Sequence, residues 1–116
     1  MRFDIHLSRN FKGGQYLKSF NANSSTDVLG QMKDCWSQSG VNNTNAEAFL
    51  FADIDGSSNM HELGTFAFDS DDDLSWEMNL DDADKLSKWT SLGYEADEFI
   101  YGHELFEHFI GFILSK

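Results

Sequence analysis

The 116 residues suffice for one modest hydrophobic core and are too few for two, so residues 1–116 are expected to form a single domain. With 41% hydrophobic and 15% aromatic residues, the composition suits a folded chain and not a disordered acidic tail. Twenty Asp and Glu against eight Lys and Arg give a net charge of −12, a field that repels nucleic acid and anionic membranes and attracts basic surfaces.

The elements follow in chain order. RFDIHLS, residues 2–8, alternates Phe3, Ile5 and Leu7 with polar neighbours, the period of a half-buried strand. RNFKGG interrupts it, and Tyr16, Leu17 and Phe20 in QYLKSFNA predict a second strand, folded back antiparallel through a turn at Gly13 and Gly14. In NSSTDVLGQMKDCWSQSG, Ser24 or Ser25 can cap a helix on which Val28, Leu29, Met32, Cys35 and Trp36 recur at helical spacing, with Gly40 as the stop. AEAFLFAD, residues 46–53, is a compact apolar run ending in the DGSSN turn and reads as a buried strand. ELGTFAF (62–68) and LSWEMNL (74–80) flank the acidic connection DSDDD and pair most simply as a second hairpin.

Asp81 or Asp82 can cap a helix running to about Leu92, with Asp81–Lys85 and Asp84–Lys88 as favourable pairs four apart. From about Ala96 to Leu114, Phe99, Phe106, Phe109, Ile110 and Ile113 form a helical stripe interrupted by Gly102 and Gly111, a Phe-rich surface that would suit a dimer. The expected class is α+β: a mainly antiparallel sheet of about five strands with two to three helices. The single Cys35 forms no internal disulfide, there is no leader-like segment, and the longest apolar stretch, FIGFIL, is far short of a membrane span. These features predict a soluble, cytoplasmic protein.

Several chemical motifs come close and fail. GHELFEHFIG resembles a zinc-binding helix, but His103 and His108 are five apart and point about 140° away from each other, so they cannot share a metal on one face. The same spacing instead aligns His103 with Glu107 and Glu104 with His108. FADIDGSSNMHE sets Asp53, Asp55 and Glu62 at positions three, five and twelve of a calcium loop, but Phe51 at position one offers no oxygen. Asp69, Asp71 and Asp73 fit positions one, three and five of another, where Leu74 and Leu80 occupy the glycine and glutamate positions. No nucleophile elbow and no phosphate-cradling glycine loop occurs, and Cys35 lies on an apolar helical face. No enzyme and no cofactor is expected; a calcium- or zinc-binding module or small hydrolase is the alternative of a different class.

The distribution of charge is more telling. Residues 1–45 balance at +2 and residues 46–116 at −14, and nine carboxylates lie between Glu62 and Asp84 without one lysine or arginine. Such crowding opposes folding through self-repulsion, which solubility alone does not require. Along a strand, every second residue advances about 6.8 Å, against about 3.4 Å per phosphate on a DNA strand, so a hairpin beside a helix approaches the charge density of a polynucleotide. Trp76 on that hairpin belongs to the core or serves as an apolar anchor.

FDIHLS, the turn RNFKGG, the strand QYLKSFNA, a capped helix and EAFLFADIDG together resemble the amino-terminal part of the ArdA antirestriction proteins, over roughly residues 3–56. That resemblance implies DNA mimicry directed at restriction enzymes. The expected function is a noncatalytic acidic inhibitor that blocks the nucleic-acid-binding cleft of a basic protein. A restriction or defence nuclease fits, as does a nuclease toxin neutralised by its cognate immunity protein. The expected contact residues are Asp69, Asp71, Asp72, Asp73, Glu77, Asp81 and Asp82.

Overall fold

In the computed structural model, which describes residues 1–9, 13–38, 47–78, 83–94 and 102–115, the alternating start of the chain forms β1 (Arg2–Arg9). It pairs antiparallel with β2 (Gly13–Asn21) and with β3 (Glu47–Ala52). β4 (His61–Phe68) and β5 (Leu74–Glu77) complete one antiparallel sheet in the order β2-β1-β3-β4-β5. The helices are α1 (Ser25–Gln38), α2 (Ala83–Ser91) and α3 (Gly102–Leu114). The fold is α+β with five strands and three helices among the described residues.

Alternation decides which face of the sheet is buried. Phe3, Ile5 and Leu7 sit opposite Ala52, Leu50 and Ala48, all essentially inaccessible, and Phe66, Phe68 and Trp76 extend the same face across β4 and β5. α1 covers it through Val28, Met32 and Cys35, with the Trp36 ring 6.2 Å from both Phe66 and Phe68. α3 covers the other end: Leu105, Phe106, Phe109, Ile110 and Ile113 are buried, and Phe106 meets Trp76 edge to face at 5.2 Å. α2 packs against α3 through Trp89, 4.9 Å from Phe109. Each fully buried side chain of this size contributes about 1.5–3 kcal/mol relative to leaving it exposed.

Of the two serines the sequence offers as caps for α1, Ser24 takes the role. Ser24 Oγ accepts the Asp27 N–H at 3.1 Å, and the Ser24 carbonyl takes the Val28 N–H at 3.1 Å. Other details differ. Gly13 and Gly14 belong to β2, opposite Arg9 and Ser8, so they lie in the ladder and not in the turn. β3 is buried on one face only, with Phe49 and Phe51 half-buried on the other. Gly102 begins α3 and does not interrupt it: a side chain there would come within 2.9 Å of the Leu74 carbonyl, so only glycine lets the helix start this close to β5. Phe106 and Phe109 are spent inside the core, which removes the Phe-rich dimer surface expected of α3. Gly40, Phe99, and Asp81 with Asp82 as helix caps lie outside the described residues.

No helix among the described residues is long and apolar enough to cross a membrane. The radius of gyration, 13.6 Å, is close to the ~13 Å expected of one folded unit this long.

Candidate functional site

The DSDDD connection folds into a three-residue hairpin loop. The Asp72 N–H donates to the Asp69 carbonyl at 3.1 Å, and the Asp69 N–H to the Asp73 carbonyl at 3.2 Å. Asp72 has φ +62°, the left-handed residue that lets such a loop rejoin its strand. Asp69 then acts on its own loop: Oδ1 accepts the Asp71 N–H at 2.8 Å and the Asp73 N–H at 3.0 Å. All four aspartates are exposed; Asp69 also builds the turn, while Asp71, Asp72 and Asp73 carry charge into solvent.

Carboxylate oxygens of Asp69, Asp71 and Asp73 lie within 4.8 Å of one another. A hairpin closed by its own N–H groups accounts for that convergence without an ion. Asp53 and Asp55, by contrast, staple a different turn. Asp53 Oδ2 accepts the Ser58 N–H at 3.1 Å, and Asp55 Oδ1 accepts both the N–H and the hydroxyl of Ser57. The Ser57 hydroxyl is the main reason the Asp55 carboxyl is held below its ordinary range. Glu62 lies on β4, opposite Phe51, so the three residues of the first calcium-like pattern serve separate ends.

Glu77 is exposed at the end of β5, about 10 Å along the strand from Leu74. Trp76 beside it is 7% exposed and packs inward, so it is a core residue and not an anchor. Asp81 and Asp82 lie outside the described residues. Of the seven expected contact residues, the structure thus brings Asp69, Asp71, Asp72 and Asp73 together at one tip and sets Glu77 further along the same hairpin.

Two neighbours of the tip were not legible in the sequence. A cleft of about 340 Å³ between the loop, α1 and α3 is lined by Leu29, Lys33, Asp72, Asp73, Leu74 and His103. Lys33 and His103 therefore flank the tip, and the Lys33 ammonium tempers its field; they arrive from helices 39 and 30 residues away in sequence from Asp72 and Asp73, so no local pattern announces them. His103 Nε2 and Glu107 Oε1 are 3.0 Å apart, the pair predicted from their spacing, while His108 Nδ1 lies 3.4 Å from the Tyr94 hydroxyl.

The strand order also turns a gradient along the sequence into one across the sheet. β1 and β2, at one edge, hold the basic residues Arg2, Arg9 and Lys18 against the acidic Asp4. Residues 47–78, from β3 to the opposite edge, hold nine acidic side chains and no lysine or arginine. No protein-family model, no curated protein and no solved structure matches the chain.

Proposed function

We propose that the protein is a noncatalytic acidic inhibitor that occupies the nucleic-acid-binding cleft of a basic protein, such as a restriction or defence nuclease or a nuclease toxin with which it forms an immunity pair. The observation that carries this reading is the edge formed by β4 and β5: four aspartates on one tip, Glu77 beyond them, and no lysine or arginine on either strand. A cationic cleft is drawn to that edge, while the basic β1–β2 edge turns away, so the field orients the encounter as well as speeding it. The likeness of residues 3–56 to the ArdA proteins adds support of a different kind.

The test is displacement. The basic protein captured by this chain from its own cell is loaded with labelled duplex DNA, and the chain is titrated in. Release of the DNA at simple stoichiometry, weakened by added salt and by Asp71→Asn/Asp72→Asn/Asp73→Asn, supports the reading; a ternary complex that keeps its DNA contradicts it.

A further inference from the structure

All three helices pack, directly or through one another, on the face that carries Phe3, Ile5 and Leu7. The opposite face has no described helix on it. At its centre are Phe49 and Phe51 of β3, half-buried, with His6 edge to face against Phe51 at 4.8 Å and Thr65 opposite Phe49. Its acidic side is set by a bulge. The register slips between Leu50 and Phe51, so Leu63 has no partner of its own and the alternation of β4 resets; Glu62 then stands opposite Phe51 and shares its face, where an unbroken ladder would turn it toward the core. Glu77, opposite Thr65, continues that side onto β5.

We propose that this open face docks an apolar segment flanked by lysine or arginine, belonging to the same basic partner. The inference rests on the proposed function and adds a second contact area to it. The charge on the page selects the occupant: on this face Arg2 of β1 is paired with Asp4, the strands β3 to β5 present Glu62 and Glu77 and no lysine or arginine, and the whole chain, at −12, repels nucleic acid, anionic lipid and a second copy of itself. The hairpin tip, contiguous with this face through Glu77 and β5, supplies further contact.

The test uses two synthetic peptides of equal length and charge, one alternating lysine with valine and one alternating lysine with serine, titrated into the intact chain and followed by residue-resolved NMR. The expected result is at least tenfold tighter binding of the lysine–valine peptide, with shifts at Phe49, Phe51 and Thr65. Phe49→Thr/Phe51→Thr should abolish that preference. Thr65→Lys, which keeps both rings in place, should abolish it too and stands as the check if the double variant folds poorly. Asp71→Asn/Asp72→Asn/Asp73→Asn should weaken both peptides alike.

Equal affinity for the two peptides, or shifts confined to the hairpin tip, overturns the open-face site and leaves the acidic-inhibitor reading standing. A dimer that Phe49→Thr/Phe51→Thr dissociates, with peptide binding unchanged, overturns it in favour of self-association. Failure of both peptides to bind anywhere counts against both readings.

Discussion

Asp69 Oδ1 holds two backbone N–H groups, so Asp69→Ala gives both up to water and should cost about 1–2 kcal/mol in a urea melt. Asp69→Asn keeps an acceptor at the same place and should cost little. At Asp72 the backbone is left-handed, so Asp72→Val should lose about 1–2 kcal/mol through a β-branched side chain at positive φ, whereas Asp72→Gly should not destabilise. Equal melts for the valine and glycine variants would refute the loop geometry. In sequence, the four aspartates of DSDDD look interchangeable; only the fold decides which one meets backbone N–H groups and which ones face water. Tyr94 offers a test at alkaline pH. Burial pushes its phenol up to about 12, against about 10 in an unfolded chain. Between those values the unfolded state loses its proton first, so the stability Tyr94 contributes is complete below pH ~10 and is lost as pH rises toward ~12. An absorbance titration should show a late-ionising tyrosine that Tyr94→Phe removes; a titration that Tyr94→Phe leaves unchanged above pH ~10 would contradict its burial.

Among the elements, the glycines give substitutions of opposite sign. A Cβ at Gly64 would meet the Glu77 carbonyl at 2.6 Å and the Trp76 ring at 2.9 Å, so Gly64→Ala should destabilise by about 1–3 kcal/mol or more and loosen β4 from β5. Gly111 lies in the interior of α3 with nothing within 4 Å, so Gly111→Ala should stabilise by about 0.5–1 kcal/mol. Thermal melts of the two variants measure both signs. Much at this scale was legible. Period-two alternation gave β1, the serine cap and apolar spacing gave α1, and DSDDD between two apolar runs gave the β4–β5 hairpin. What local pattern does not encode is the bulge at Leu63, which depends on how β4 meets β3 and which moves Glu62 to the open face. The role of Gly102 was hidden for the same reason, since its neighbour is the Leu74 carbonyl on a distant strand.

The sheet is polarised, with basic residues gathered on β1 and β2 and acidic ones from β3 to β5. The sequence showed the gradient along the chain, but only the strand order shows that its two ends form opposite edges. Lys33 tempers the acidic tip from α1, so Lys33→Gln should speed association with a basic partner, the reverse of what removing aspartates does. Calorimetry with calcium should show no saturation at simple stoichiometry, because the Asp69–Asp73 loop is already held by its own N–H groups; a defined site would challenge its reading as a charge-bearing turn. The most direct measurement is the association rate with the captured basic partner, wild type against Asp71→Asn/Asp72→Asn/Asp73→Asn, across ionic strength. The account predicts about tenfold slower association for the variant at low salt, converging with wild type as salt screens the field. Rates that match at every ionic strength would contradict it.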